Sequence, residues 1–429
     1  MPFYKSILPP SLPNQVLQFP SMASSETLIF SLFLLSLISH TFSQHPTPTP
    51  TALVLPISKH PSALQYTTTL TQSTPPSPLT LVIDLSGPLL WLSCGSTHHS
   101  SSTSKLVQCH SPHCSLLPHS NKNCHKHKNC ILLSKNKFTQ KVSAGELSED
   151  ILSVQSTNGL YPTSIVSVPR FPFLCLAQES LPLGLATGAK GVAGLGHDRL
   201  GLPAQLAHAF NFSRKFAMCL SPSADAATGV LFLGDGPYAF SPGIDVSKLL
   251  IFTPLIHKSG TYSFEYFIKV KSVRVDGKNL PLNSTLLTMI STVHPYGILE
   301  SSVYEHLARG FIEAANANRV APVSPFNVCF STQSENGGLM RPAMPVLDLV
   351  LQNEEVFWRI FESNSMVPVG NDTTCLGFLD GGPNPGASII IGGHQLEDNL
   401  LQFDLVSSRL GFTSSLFLRQ TDCASFNWH

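Results

Sequence analysis

The stretch Leu81-Val82-Ile83-Asp84-Leu85-Ser86-Gly87-Pro88-Leu89-Leu90-Trp91 places a single carboxylate at the end of an apolar run. The apolar and β-branched residues before Asp84 predict a buried strand, and the Ser-Gly-Pro sequence after it predicts a tight turn. The second half of the chain has a similar run, Leu286-Leu287-Thr288-Met289-Ile290, which continues into Ser291-Thr292-Val293-His294-Pro295. A serine therefore stands where the first half has its aspartate.

Each run is followed, at a similar distance downstream, by an apolar segment rich in glycine. These segments are Gly191-Val192-Ala193-Gly194-Leu195-Gly196 and Ile389-Ile390-Ile391-Gly392-Gly393. A chain of 429 residues exceeds one ordinary core and suits two domains. The weak repeat predicts two homologous β-rich lobes facing each other, which we place at residues 44–245 and 246–429.

The charge composition excludes some classes of partner. Charged residues are 12% of the chain, against about 25% in typical soluble proteins. Lys plus Arg and Asp plus Glu number 26 each, so the formal net charge is zero. Nucleic acid binding needs a basic surface, and we therefore expect no nucleic acid partner.

The N-terminus predicts secretion. Residues 28–38 form an apolar run that is shorter than the about 20 residues needed to span a bilayer. The run fits the core of a signal peptide, with small residues before a cleavage at about Gln44. We therefore assign residues 1–43 to a signal region, with Met22 as a possible true start, and expect no membrane association after cleavage. An uncleaved membrane anchor is the alternative.

The cysteines and sequons agree with secretion. An even number of cysteines behind a signal peptide predicts disulfides. The cysteines are Cys94, Cys109, Cys114, Cys124, Cys130, Cys175, Cys219, Cys329, Cys375 and Cys423. Three Asn-x-Ser/Thr sequons, at Asn211, Asn283 and Asn371, predict glycosylation where their loops are exposed.

Local patterns predict further elements. Residues 51–55, 64–70, 151–155 and 164–168 have the composition of strands. Residues 202–210, with Pro203 near the first turn, predict a short helix. Residues 303–314 have apolar positions at helical spacing and predict a second one. Residues 92–140, rich in Ser, His, Lys and Cys, predict a cross-linked surface excursion without a core of its own.

Several stretches, in order along the chain, resemble one plant family. They are Gly145-Glu146-Leu147-Ser148-Glu149-Asp150, Lys215-Phe216-Ala217-Met218-Cys219-Leu220, Gly392-Gly393-His394-Gln395-Leu396-Glu397-Asp398-Asn399, Phe403-Asp404-Leu405 and Arg409-Leu410-Gly411-Phe412. From about residue 50 onward the chain resembles the plant pepsin-like proteins that include basic 7S globulins, extracellular dermal glycoprotein and cereal xylanase inhibitors. The resemblance implies an all-β, bilobal pepsin-like fold, with two β-barrel-like lobes, a central cleft and a few short helices. It also implies an extracellular location in the cell wall space, and binding of microbial glycoside hydrolases or of a peptide.

The resemblance also implies a disulfide pattern. It pairs Cys94 with Cys175, Cys219 with Cys423, and Cys329 with Cys375. For the remaining four cysteines we expect two nested bridges, Cys109–Cys130 and Cys114–Cys124, although spacing alone does not settle connectivity.

Aspartic protease chemistry should fail here. That mechanism needs two close carboxylates that share one proton. The Ser291 hydroxyl cannot replace a carboxylate, because its pKa is far too high without an activating base. The protease motif Asp-Thr-Gly-Ser is replaced by Asp84-Leu85-Ser86-Gly87, which lacks the bracing hydroxyl of its second residue. We therefore predict that Asp84 and Ser291 are vestigial, with Glu300 and Asp348 as the nearby carboxylates that could substitute.

Other tempting signals are weaker. The His and Cys residues between positions 98 and 130 could be drawn as a zinc site. In a secreted chain disulfides are favoured over thiolate ligands, so we expect no metal and no cofactor.

The preferred hypothesis is an inactive, secreted inhibitor of a xylanase or endoglucanase in plant defence. The xylanase inhibitors use a His shortly before the last Cys, whereas this chain has Leu416-Phe417-Leu418-Arg419-Gln420-Thr421-Asp422 there. Arg419 is therefore the candidate contact to carboxylates of the partner enzyme. An active aspartic endopeptidase and a seed storage or peptide-binding globulin are the alternatives.

Overall fold

The computed structural model describes residues 49–94, 101–117, 128–176, 184–223, 228–256, 263–282, 285–333 and 343–429. The predicted signal region at residues 1–43, with Met22, lies outside the described residues. Residues Pro50–His429 form one compact unit. The lobe boundary between residues 245 and 246 stays a prediction.

Strands dominate the described chain. In chain order they are β1 (Ala52–Lys59), β2 (Tyr66–Gln72), β3 (Ser77–Asp84), β4 (Trp91–Ser93), β5 (Lys105–Leu106), β6 (Ile131–Lys135), β7 (Val142–Thr157), β8 (Pro162–Leu176), β9 (Gly191–Gly194), β10 (Lys215–Cys219), β11 (Gly229–Gly234), β12 (Ala239–Phe240), β13 (Ile244–Asp245), β14 (Ile251–Pro254), β15 (Tyr266–Val270), β16 (Ser272–Val275), β17 (Lys278–Asn279), β18 (Leu286–Ile290), β19 (Gly297–Leu299), β20 (Arg319–Val320), β21 (Cys329–Ser331), β22 (Leu347–Val350), β23 (Phe357–Ile360), β24 (Met366–Val369), β25 (Thr373–Leu376), β26 (Phe378–Asp380), β27 (Ile389–Ile391), β28 (Leu400–Asp404) and β29 (Arg409–Phe412).

Helices within the described residues are few and mostly short. They are α1 (Pro112–Ser115), α2 (Leu202–Phe210), α3 (Ser301–Ala314), α4 (Glu362–Ser365) and α5 (Gly393–Leu396), together with the 3₁₀ segments η1 (Val246–Leu249) and η2 (Leu416–Arg419). The expected all-β class with a few short helices is confirmed. None of these helices is long and apolar enough to cross a membrane, among the residues described.

The largest sheet has 14 strands and curls back on itself. β7 pairs with its neighbour β8 and also with β1 and β2, which gives the sheet its barrel-like form. At the other side, β10 pairs with β28, with Phe216 opposite Phe403. A strand of the first half is thus joined directly to the last strands of the chain.

Smaller sheets build the second half. Five strands follow the order β15-β18-β27-β19-β26, and two four-stranded sheets follow the orders β17-β16-β22-β23 and β20-β21-β25-β24. The helix α3 packs its apolar face here, with Val303, Leu307 and Phe311 buried.

The internal repeat is present in the backbone. β3 runs parallel to β9, with Asp84 opposite Gly194, and β18 runs parallel to β27, with Ile290 opposite Ile391. Glycine is required where each pair meets its turn. A Cβ at Gly194 would collide with the Leu89 carbonyl oxygen, and one at Gly392 would collide with that of Tyr296.

Aromatic rings fill the core where the halves join. Phe216 and Phe403 stack with ring centroids 4.6 Å apart, and Tyr266 lies 4.5 Å from Phe403. All three side chains are buried. This cluster links β10, β15 and β28 by apolar burial, the main favourable term in folding.

The predicted local elements agree in place, but three strands are longer than predicted. β1 extends to Lys59, and the segments predicted at 151–155 and 164–168 belong to the long strands β7 and β8, of 16 and 15 residues. α2 has the predicted bounds, and α3 begins two residues early because Glu300 caps it, accepting from the Ser302 N–H. β2 begins at Tyr66, two residues later than predicted. Leu64 has a positive φ of 53° and closes a turn by donating its N–H to the His60 carbonyl.

The excursion at residues 92–140 is attached to the main sheet. β6 pairs with β7, and Val107, Leu117 and two cysteines join a buried cluster that Trp91 and Leu174 complete. The excursion therefore shares a core with the sheet.

Four disulfides lie within the described residues. Cys94–Cys175, Cys219–Cys423 and Cys329–Cys375 have the implied pairing. The expected Cys109–Cys130 and Cys114–Cys124 bridges are wrong, because Cys114 pairs with Cys130. Both of these residues are buried in the shared cluster, and their Cα atoms are 5.9 Å apart. Cys109 is also disulfide-bonded, whereas Cys124 lies outside the described residues.

Candidate functional site

Asp84 ends β3 as a buried carboxylate. The residue is 3% exposed, and Oδ1 accepts hydrogen bonds from the Ser86 N–H at 2.8 Å and from the Ser86 hydroxyl at 2.7 Å. Burial raises the pKa of Asp84, and the bonds from Ser86 offset part of that rise. Ser86, one position before Gly87, thus orients the carboxylate in this chain.

Ser291 holds the matching position after β18. The residue is 2% exposed, and its Oγ lies 2.9 Å from Nδ1 of His294 and accepts from the Val293 N–H at 3.2 Å. The Ser86 N–H bonds Asp84 in the same way, so the two turns are related in detail. Burial lowers the pKa of His294, and the Lys137 ammonium lowers it further.

Thr292 ties the two turns together. Its hydroxyl donates to the Ile83 carbonyl at 2.8 Å and accepts from the Leu85 N–H at 3.2 Å. Leu85 is fully buried and has no hydroxyl with which to make the reciprocal contact. The structure therefore brings the turns of Asp84 and Ser291 together through a single side chain.

A hairpin turn adds a cation to this site. Lys137 follows β6, and its Nζ lies 2.6 Å from Oε1 of Glu265, just before β15. Burial alone would raise the pKa of Glu265, but Lys137 and Ser263 hold it below its usual value. The charge of Lys137 also lowers the pKa of both Asp84 and His294.

The two carboxylates that could substitute for the missing aspartate are engaged elsewhere. Asp348 accepts both forks of the Arg359 guanidinium, at 2.7 and 2.8 Å. Glu300 caps α3 and accepts from the Ser302 hydroxyl at 2.7 Å. The described site thus offers Asp84, the Ser291 hydroxyl, the His294 imidazole and a Glu265 carboxylate that is paired with Lys137. These groups do not amount to a pair of carboxylates sharing a proton.

Arg419 is the last residue of η2 and is far from Asp84 in sequence. Phe417 and Leu418 beside it are 54% and 65% exposed, and Arg419 is exposed too. Leu416 is buried and its N–H donates to the Asp398 carbonyl at 2.9 Å. The segment therefore presents two apolar side chains and a guanidinium on an anchored backbone.

Two of the three sequons are described. Asn211 follows α2 and Asn371 precedes β25, and both residues are exposed. Asn283 lies outside the described residues.

Sequence reasoning missed the roles of His294, Lys137 and Glu265. His294 had a usable signal, because it stands three residues after Ser291, directly before Pro295. The pair Lys137–Glu265 had none, since 128 positions separate the two residues.

The sequence and the fold match known proteins. The family model described as xylanase inhibitor N-terminal matches residues 66–235, and xylanase inhibitor C-terminal matches residues 265–414. The chain is 44% identical to "Probable aspartic proteinase GIP2" of Nicotiana benthamiana, over 95% of this chain and 99% of that protein.

Solved structures agree. A crystal structure named "edgp" has a TM-score of 0.81 and 41% identity, covering 90% of this chain and all of that one. Basic 7S globulin from soybean has a TM-score of 0.77 and 35% identity, covering 88% and 98% of the two chains. An aspartic proteinase from Irpex lacteus, at 13% identity and a TM-score of 0.61 over 86% of this chain and 99% of its own, shares the fold alone. The pepsin-like fold is therefore confirmed, and the chain belongs to the xylanase-inhibitor-like family of pepsin-like proteins that includes the basic 7S globulins.

Proposed function

We propose that this chain is a secreted, catalytically inactive homologue of the aspartic proteases that binds and inhibits a microbial glycoside hydrolase of the xylanase or endoglucanase class. The observation that carries the first part is the Ser291 hydroxyl at the place related to Asp84, bonded to His294. A shared-proton mechanism needs a second carboxylate there. The matched xylanase inhibitor models support the second part.

The chemistry of η2 suits such a partner. Most glycoside hydrolases place two carboxylates on either side of the scissile bond. A guanidinium binds a carboxylate through two parallel hydrogen bonds, and exposed apolar side chains beside it gain from burial in a cleft. Arg419, with Phe417 and Leu418, supplies both kinds of contact.

The anchoring of η2 should reduce the entropic cost of binding. The Thr421 hydroxyl donates to the Ser241 carbonyl at 2.8 Å, and Cys423 is bridged to Cys219. A segment held before binding loses less conformational freedom when it docks. The fold holds η2 in place before binding, and this favours η2 as the segment that contacts the partner enzyme.

The test is an inhibition assay of the purified protein against secreted microbial xylanases and endoglucanases. Arg419→Ala should weaken inhibition by about 10-fold to 100-fold, the range of a well-placed interface arginine. Arg309→Ala, at an exposed arginine of α3, is the matched control and should leave inhibition unchanged. Absence of inhibition across the panel would refute the inhibitor, and equal inhibition by both variants would remove Arg419 from the contact.

A peptidase is the second candidate, because a relative carries the name "Probable aspartic proteinase GIP2". Cleavage of a denatured protein at mildly acid pH, blocked by pepstatin and abolished by Asp84→Asn, would replace the inhibitor proposal. A storage or peptide-binding role, suggested by the soybean globulin, would be favoured by high seed abundance without effect on any hydrolase.

Secretion and glycosylation belong to the same proposal. We expect extracellular protein that lacks residues 1–43 and carries glycans at exposed Asn211 and Asn371, and at Asn283. N-terminal sequencing and a mass shift on enzymatic deglycosylation check these expectations.

A further inference from the structure

The turn after β18 combines a nucleophile with a base. Oγ of Ser291 lies 2.9 Å from Nδ1 of His294. In the imidazole tautomer that carries its proton on Nε2, the Ser291 hydroxyl donates to Nδ1, while its Oγ accepts the Val293 N–H at 3.2 Å. A hydroxyl within hydrogen-bond reach of a positioned base is the recurring arrangement of an activated serine.

The surroundings keep His294 ready to accept a proton. Burial lowers its pKa, which favours the neutral imidazole that acts as a base near neutral pH. Among the described charged groups, Lys137 lowers that pKa further. Lys137 is paired with Glu265, and both charges act on Asp84.

We propose that Ser291 and His294 form a nucleophile–base pair that reacts with small activated esters and with other acyl or phosphonyl electrophiles. This activity goes beyond the inhibitor function and does not depend on it, because the inhibitory contact is assigned to η2. It is also distinct from aspartic protease chemistry, in which no covalent bond to the protein forms.

With an ester, Oγ of Ser291 attacks the carbonyl carbon while its proton passes to Nδ1 of His294. The carbon–oxygen bond to the leaving group then breaks, and the leaving alkoxide takes the proton, which yields acyl-Ser291 and an alcohol. Water attacks the acyl carbon and gives its proton to His294. Release of the carboxylic acid returns the proton to Ser291. With a phosphonofluoridate, the Oγ–P bond forms while the Ser291 proton passes to His294, the P–F bond breaks, and fluoride leaves.

The experiment treats the full secreted protein with p-nitrophenyl acetate and with a fluorophosphonate probe, and maps the modified residue by peptide mass spectrometry. We expect label on Ser291. Ser291→Ala should abolish it, and His294→Gln should slow it by about 100-fold or more, the contribution of a general base. Ser301→Ala is the matched control, since Ser301 also bonds a potential base, Asp380 at 2.7 Å, and should leave labelling unchanged.

The pH profile adds a readout that a structural role would not move. The labelling rate should rise with pH as His294 loses its proton, with a midpoint below the ordinary histidine pKa of 6.5, because burial lowers the pKa of His294. Label on another residue, no label on the wild-type protein, or equal rates for His294→Gln and wild type would each overturn the proposal. Mapping on the wild-type protein keeps the test decisive even if a variant fails to fold. Arg419→Ala should leave labelling unchanged, which separates this activity from inhibition.

Discussion

The Thr292 hydroxyl donates to the Ile83 carbonyl at 2.8 Å, although 209 positions separate the two residues. The bond is buried and joins the turn of the second half to the strand that carries Asp84. Leu85 contributes its backbone N–H to this connection, but its side chain has no hydroxyl that could bond back to the turn of Thr292. Thr292 is therefore the side chain that makes both of these hydrogen bonds between the two turns.

Replacing Thr292 by valine should destabilise the protein by about 1–3 kcal/mol, because the shape is kept while two buried backbone groups lose their partner. Urea unfolding checks this change. Thr292→Ser retains the hydroxyl and should lose less stability. Equal loss in both variants would show that the hydroxyl, which valine lacks, contributes no more than the methyl group, which serine lacks.

The positive charge of Lys137 should influence the pKa values of Asp84 and His294. Lys137→Met removes a cation that lowers the pKa of Asp84 and His294, so both pKa values should rise. Glu265→Gln is the opposing control, because the Glu265 charge raises the pKa of Asp84, which should therefore fall. Titration of the His294 and Asp84 resonances by NMR measures both directions. Unchanged pKa values in both variants would contradict the arrangement.

Asp398 should make stability depend on pH. Burial raises its pKa to about 6 from 3.8, and Asp422 and Glu397 add to the rise against the opposing bond from the Cys423 N–H. Between these two pH values the folded chain binds more protons than the unfolded chain at this group, so its contribution to stability falls as pH rises. A shift of this size is worth on the order of 2–3 kcal/mol.

Asp398→Asn removes that dependence. The variant should melt at a higher temperature than wild type at pH 7 to 8, and the gain should vanish below about pH 4. Asparagine also tolerates the positive φ of 50° at this position. A constant difference in Tm across this range would show that the carboxylate does not titrate as described.

Removing a ring from the aromatic cluster of Phe216, Tyr266 and Phe403 should lower the stability of the protein. Phe403→Ala removes a buried ring that stacks on Phe216 and should cost about 3–5 kcal/mol. Phe417→Ala, at an exposed ring, should change the free energy of unfolding by less than about 0.5 kcal/mol. Chemical denaturation of both variants gives the comparison. Similar losses would indicate that η2 packs more tightly than its exposure suggests.

Much of the fold could be predicted from local patterns. The runs before Asp84 and Ser291 are apolar enough to define buried strands, and Gly194 and Gly392 mark the places where the backbone must pass close. α2 was predicted to its ends because Pro203 and an apolar face act within one short segment. Such signals are local, and they survive in a single sequence.

Contacts between distant segments could not be predicted in this way. The bridge Cys114–Cys130 depends on which cysteines face the buried cluster beside the sheet. The spacing of the cysteines along the sequence does not determine this. The Lys137–Glu265 pair depends on where a hairpin turn ends in space. For the site, Asp84 and Ser291 were found by their motifs, whereas the groups that set their chemistry required coordinates.

The Cys219–Cys423 bridge spans 204 positions, and most of the second half of the chain lies between its ends. A single proteolytic cut in that interval would therefore leave two polypeptides still joined by this bridge, and a cut between Cys329 and Cys375 would leave them joined by two bridges. Such a nicked molecule would run as one band on a gel without reductant and as two bands with it. A cleaved form would thus keep its Arg419 segment attached to the sheet that carries Asp84.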